Sequence, residues 1–390
     1  MAGKGTATGG AKPVLAGVRV LDLSRVVAGP WAAMTLGDLG AEVIKVENPA
    51  GGDEVRLYGP PFEAGESAYY LCVNRNKKSL LADLKTAEGQ AIVRELARVS
   101  DVLVENFRDG TMERFGLGLE GLRAETPRLV TCSISGYGRD SPMSARAGYD
   151  FIIQGESGLM SIIGDADGPP MKVGVAVSDI LCAHNAVAAI LAALLARERT
   201  GKGQHVDMAL LDASVQALGN QGANYLMTGE PPRRYGNAHA NVVPYQPFET
   251  ADKPITVAAA NDRQFRILCR VLGRPELADD ARFAGNAKRV ENRDALVPVL
   301  AGIFATAGRD DWLEKLHAAG LPAGAIRAID EVLEAPEVVA RGMVTAVAHP
   351  AMGSTRLVAS PLKLSETPVV EPTHPPTLGE HTAAVLEAVL

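Results

Sequence analysis

Cysteine is scarce in this chain: four in 390 residues, at positions 72, 132, 182 and 269, with no CxxC pair. That spacing excludes a disulfide framework and a zinc ribbon, and it fits a reducing, cytoplasmic setting. The seven histidines are scattered, with no HxxxH or HExxH, so no metal site is expected. No run of five like charges occurs and the net charge is -7, which leaves no basic surface for nucleic acid. Long apolar runs are lacking too. The longest, Ile180 to Ala196, is shorter than the roughly 20 residues that span a bilayer and carries His184 and Asn185. It reads as a buried helix, and no membrane partner is expected. Met1 to Lys12 has neither the apolar centre of a signal peptide nor the arginines of a transit peptide, and reads as a disordered leader.

What is present is an ordinary globular composition, 47% hydrophobic and 22% charged, in a chain long enough for two cores. Val18–Leu23 reads as a strand, Trp31–Leu39 as a helix after the Ala28-Gly29-Pro30 turn, and Glu42–Val46 as a second strand. The pattern recurs: strand Ser79–Leu84, helix Thr86–Val99, strands Val102–Glu105 and Leu129–Ile134. A long helix then runs from Asp179 to about Thr200, followed by strand His205–Leu210 and helix Ala213–Met227. Alternation of this kind implies an α/β fold with a parallel sheet. Its ligands gather where strands end, at segments such as Asn106-Phe107 and Ser135-Gly136-Tyr137-Gly138.

A Pro, Arg, Gly and Asn-rich stretch marks a linker at 229–241. A large domain is expected over 13–228 and 332–390. A smaller α+β domain is expected over 242–331, with strand Ile255–Ala259, helices Arg263–Leu272, Asn292–Phe304 and Arg309–Ala319, and a turn at Leu321–Gly324. The first strand–helix unit is not a dinucleotide site. Its turn is Val27-Ala28-Gly29-Pro30, without the glycines of GxGxxG.

Several segments, in order, resemble the class III CoA-transferases. They are Leu15–Asp22 (LAGVRVLD), Leu36–Glu47 (LGDLGAEVIKVE), Asn74–Ser79 (NRNKKS), Val104–Phe107 (VENF), Ser133–Gly138 (SISGYG), Thr200–Gln204 (TGKGQ) and Leu378–Thr382 (LGEHT). The resemblance covers nearly the whole chain after the leader. It implies a large Rossmann-like parallel-sheet domain and a small domain in an interlocked homodimer, with acyl-CoA and small carboxylic acids as partners. CoA enters as substrate, and no permanently bound cofactor is implied. The implied reaction moves CoA from a donor such as succinyl-CoA to a dicarboxylate such as glutarate or itaconate.

The resemblance places the catalytic aspartate at Asp179 in GVAVSD. Ser178 or Asp179 is expected as N-cap of the long helix, whose N-terminus would favour the charged carboxylate. CoA contacts carry over to Val27, Ala28, Val73, Asn74, Arg75, Asn76, Asn106, Phe107, Arg108, Arg114, Ser135, Gly136 and Tyr137. Substrate contacts carry over to Tyr149, Gly236, Asn237 and His239, and Arg75 is the first candidate cation for a second carboxylate, ahead of Arg56, Arg233 and Arg234. Asn48 stands where many members have an arginine, with Lys45 or Lys78 as substitutes for that charge. α-Methylacyl-CoA racemases share the fold but use a histidine where Tyr149 stands. A phenol, with an ordinary pKa near 10, is a poor base at pH 7, which favours the transferase.

Overall fold

The computed structural model describes residues 12–389, so the leader lies outside the described residues except for Lys12. The chain forms two compact units. The first comprises residues up to 159 together with 173–218 and 336–390; the second comprises 160–172 and 219–335. The second unit thus takes in 160–172 and begins again at 219, not at 242 as expected.

The first unit is built on a six-stranded parallel sheet: β1 (Arg19–Asp22), β2 (Glu42–Glu47), β3 (Lys77–Leu81), β4 (Val102–Glu105), β5 (Val130–Ser135) and β6 (His205–Ala209). Its spatial order is β3-β2-β1-β4-β5-β6. The direction of build-up therefore reverses between β1 and β4, and the ends of those two strands open a crevice suited to a ligand.

Both faces of the sheet are covered, so its strands are nearly continuous apolar runs. Val20, Val43, Val104 and Cys132 face helices α1 (Ala28–Asp38) and α4 (Val177–Thr200), which is numbered after α2 (Ala87–Arg98) and α3 (Asp150–Glu156). Leu21, Ile44, Leu80 and Leu103 face Val93, Leu96 and Ala97 of α2, and Val385 near the C-terminus. α4 is long and apolar enough to cross a bilayer by length and composition. In the fold its Cys182, Ala183, Ala186, Ile190 and Ala193 are buried in the core shared with α1.

The second unit has an antiparallel sheet of Tyr245–Phe248, Ile255–Ala258 and Ala323–Ala325. Phe248, Phe265, Leu296, Phe304 and Trp312 form its separate core.

Three elements differ from expectation. The helix read over 213–227 is two helices, Leu210–Gln216 and Gly219–Thr228, broken where Gly219 takes φ +52°. The turn at 321–324 runs into the edge strand Ala323–Ala325, because glycine and alanine carry little strand signal. A hairpin of Val344–His349 and Gly353–Val358 lies in a stretch where no strand was expected.

Candidate functional site

At the crevice, the loop after β1 is clamped to the end of β4. The Asn106 side chain accepts the Arg25 N–H at 2.8 Å and donates to the Arg25 carbonyl at 2.6 Å. The Arg25 guanidinium lies 5.0 Å from the Phe107 ring centre and 3.1 Å from Glu54. The next residue, Val26, has φ +71°, a strained conformation for a β-branched side chain. Its amide is held by Asp53 at 3.1 Å.

Beneath this loop is a buried, charge-balanced network. Lys45 pairs with Asp53 at 2.8 Å and donates to the Ser24 carbonyl. Lys77 pairs with Asp22 at 2.9 Å and also reaches Pro30 and Asn74. Glu47 takes a two-pronged bond from Arg56, at 2.8 and 2.7 Å, and one from Ser79. Burial alone would neutralise these groups, but their partners hold Asp22 and Glu47 below the ordinary carboxylate range. Removing one partner would strand a buried charge, so the network fixes the loop above it.

The other wall begins at Gly136, just past β5. A Cβ on Gly136 would lie 2.6 Å from the Cα of Gly148, and one on Gly148 would lie 2.7 Å from the Cα of Gly136. Only two glycines permit this crossing of backbones. It brings Tyr149 and α3 to the sheet end. Asp150, the first residue of α3, accepts the Ser178 N–H at 2.8 Å. Gln154, one turn on, donates to Asp150 at 2.8 Å and accepts the Val173 N–H at 2.8 Å. The start of α4 is thus held by α3.

That arrangement corrects the expected cap. The N-cap position is Ala176, which has no capping side chain, and Asp179 is the third residue of the helix. The capping carboxylate comes from Asp150 instead. The expected electrostatics change with it. Burial first, then the nearby Asp150 charge, raise Asp179 from 3.8 to about 7. The Ser178 amide, a donor that would favour an anion at this helix start, is already engaged by Asp150. Asp179 itself makes no hydrogen bond or ion pair with the described residues.

A cavity of about 150 Å³ collects these groups. Of the predicted residues it brings together Val27, Ala28, Asn106, Phe107, Arg108, Ser135, Gly136, Tyr149 and Asp179. Arg25, Val26, Glu54, Asp109, Arg139 and Arg146 line it as well and were not anticipated. Arg25 could have been found, since it follows directly on the end of β1. A second cavity shares Arg25 and Phe107 with the first and continues past Asn48, Thr111 and Lys85.

Other predicted residues lie elsewhere. Val73, Asn74 and Arg75 are buried and Asn76 half-buried. Arg75 grips Asp38 through two bonds, at 2.9 and 2.5 Å, and donates to the Val358 carbonyl. Its donors serve the fold, as do those of Arg56. Asn76 bonds to Asp38 and to the Thr373 amide. Tyr137 is buried in the core. Arg114 is exposed and bonds to Thr111, one turn away. Lys78 pairs with Glu42 at 2.6 Å, so neither it nor Lys45 is a free substitute for the missing arginine at Asn48. His184, read as a core residue, is exposed and edge-on to Trp31. Gly236, Asn237 and His239 belong to the second unit. There Gly236 has φ +60°, Asn237 is exposed, and the His239 ring lies tilted against Tyr245, with centroids 5.2 Å apart.

A parallel α/β sheet with a clefted switch point, and a partly buried carboxylate at a helix start that is unpaired among the described residues, form a ligand site of the doubly wound kind. The family model for CoA-transferase family III matches residues 15–382, and the chain belongs to that family. It is 47% identical over 383 residues to a succinate–glutarate CoA-transferase of Agrobacterium fabrum, covering 96% of this chain and 95% of that protein. It is 43% identical to human succinyl-CoA:glutarate CoA-transferase, over 96% of this chain and 86% of that one. Among solved structures, a CAIB/BAIF family protein from Brucella suis superposes with a TM-score of 0.86 at 43% identity, covering 97% of this chain and 100% of that one.

Proposed function

We propose that this enzyme moves CoA from succinyl-CoA to glutarate, with the Asp179 carboxylate as covalent nucleophile. The observation that carries the reading is the state of Asp179: partly buried, lining the cavity, and without a hydrogen bond or ion pair among the described residues. A carboxylate with a purely structural role would cap a helix or pair with a cation, and Asp150 already caps this helix.

In the proposed sequence, an Asp179 oxygen attacks the thioester carbonyl carbon of succinyl-CoA. The C–S bond breaks, CoA thiolate leaves, and a succinyl–aspartyl anhydride forms. The thiolate then attacks the aspartyl carbonyl, releasing succinate and leaving an aspartyl-CoA thioester. Glutarate attacks that thioester to give a second anhydride and free thiolate. Attack of the thiolate on the glutaryl carbonyl yields glutaryl-CoA and regenerates Asp179. Each thioester is exchanged for another of similar energy, so the cycle needs no ATP. We place the thioester end of CoA in the first cavity and its nucleotide in the second, where Arg25 and Lys85 offer charge to phosphate.

The similarity to relatives named as succinate–glutarate and succinyl-CoA:glutarate CoA-transferases supports this donor and acceptor. Itaconate differs from glutarate in ways that a diacid pocket distinguishes weakly, and we include it as a second acceptor. The racemase reading is not favoured: Tyr149 lacks the basicity of histidine, and the relatives compared are CoA-transferases. We also propose a cytoplasmic homodimer, interlocked as the family resemblance implies. Exposed Tyr149, Phe151, Ile152 and Val175 give the first unit an apolar surface consistent with a subunit contact.

The test is mass spectrometry of products from purified protein, succinyl-CoA and one acceptor at a time: glutarate, itaconate, malate, citramalate, oxalate or carnitine. Glutaryl-CoA formed by the native enzyme and absent with Asp179→Ala is the expected result. A product with other acceptors but none with glutarate removes the acceptor assignment. Turnover by Asp179→Ala removes the nucleophile.

A further inference from the structure

The second unit carries an arginine cluster that the proposed reaction does not use. Arg233, Arg234, Tyr235 and Arg293 line one cavity with Gly236 and Gln246. The guanidinium carbons of Arg233 and Arg293 lie 4.8 and 4.7 Å from the centre of the same Tyr235 ring. The ring attracts both cations and keeps them together against their mutual repulsion. Arg293, the first residue of helix Arg293–Phe304, is half-buried and fixed. Its Nη2 donates to the carbonyls of His239 and Ala240 at 3.0 and 2.8 Å. Arg234 is fixed by bonds to the Asp165 and Gly168 carbonyls at 3.1 and 2.6 Å.

None of the three arginines has a carboxylate partner among the described residues. Their fixed contacts are to neutral carbonyls and a ring, none of which is a direct ionic partner. Nε and Nη1 of Arg293, Nη1 of Arg234 and the whole Arg233 fork make no hydrogen bond there. Asp165 and Asp294 also line the cavity, but both are exposed. Burial is the main cause that pulls Arg293 below the ordinary arginine range, and the neighbouring Arg233 charge adds to it against the opposing influence of Tyr235 and exposed Asp294.

We propose that this cavity binds an anion through its oxygens, a carboxylate or a phosphate, gripped by the free guanidinium N–H groups of Arg233 and Arg293. Guanidinium forks match both geometries and hold them with charge-assisted bonds. The site is carried by the second unit's own residues and does not rest on the succinyl-CoA to glutarate assignment.

The experiment is isothermal titration of the full-length protein with glutarate and, separately, with inorganic phosphate. It is repeated on Arg233→Ala and Arg293→Gln. Among the described residues Arg233 makes no hydrogen bond or ion pair and lies over the Tyr235 ring, so its removal is expected to leave the fold intact even where loss of the Arg293 bonds does not. At least one anion is expected to bind, with an affinity about tenfold weaker in Arg233→Ala, the loss of one charge-assisted contact. Whether glutarate or phosphate shows the loss distinguishes a carboxylate ligand from a phosphate one. Absence of binding by both anions, or an affinity unchanged in Arg233→Ala, overturns the proposal.

Discussion

The Oδ1 atom of Asp150 lies 2.8 Å from the Ser178 nitrogen, which sets a second carboxylate beside Asp179, the residue that follows. One acid caps the helix while the other is left open to the cavity. Burial, and after it the charge of the first acid, raise the pKa of the second, so the two carboxylates are given different roles by their surroundings.

A pH dependence follows from this pair. Attack requires ionised Asp179, so kcat/KM is expected to rise with pH through about 7 and to fall below it with a slope of one proton. Asp150→Asn keeps an oxygen for the Ser178 amide but removes the charge. Its acid limb is expected to move to lower pH without a loss of folding, as pH–rate profiles of the two proteins would show. An unmoved limb would mean that Asp150 does not set the Asp179 charge.

Asp179→Asn is expected to abolish turnover and to stabilise the fold at alkaline pH. The sign follows from linkage. In the folded state Asp179 holds its proton to about 7, against 3.8 for an unperturbed group. Between those values the native state binds more protons, so its stability falls as pH rises. Asparagine escapes that loss. Thermal unfolding at pH 8 should show a Tm higher by at least about 2 °C, with little difference at pH 4. Equal Tm values at both pH values would contradict the raised pKa.

Arg75→Ala is expected to act on stability, because it leaves the Asp38 carboxylate buried and unpaired. The cost is about 3–5 kcal/mol, measured by urea unfolding. Where the variant still folds, KM for donor and acceptor should be near native. A selective rise in acceptor KM would restore Arg75 to the substrate site.

Asn106→Ala releases the loop after β1 by removing both bonds to Arg25. KM for succinyl-CoA is expected to rise about five- to thirtyfold, corresponding to roughly 1–2 kcal/mol, with a smaller change in the acceptor KM. Steady-state kinetics with each substrate varied in turn would decide this.

The parallel sheet was legible because its strands are apolar on both faces and alternate with helices whose periodicity is clear. β4 coincides with the predicted Val102–Glu105. The carboxyl-end rule also located Asn106, Phe107, Ser135 and Gly136, all of which reach the cavity. Local sequence could not show that Asp38, 37 positions earlier, takes up Arg75, or that Asp150, 28 positions before Ser178, supplies the cap. An arginine beside a strand reads the same whether it faces ligand or a buried acid. The hairpin at 344–358 was hidden because its strands are short of aromatic residues and lie in a proline-rich tail.

The contact between Gly136 and Gly148 limits how this wall can change. Most tight contacts have an escape: one partner grows if the other shrinks. Here each residue is already the smallest possible, and each would meet main chain rather than a movable side chain. A substitution at one position has no compensating substitution at the other, so the wall beside Asp179 can be redesigned only by moving backbone. Libraries that vary acceptor preference would do better to leave both positions fixed.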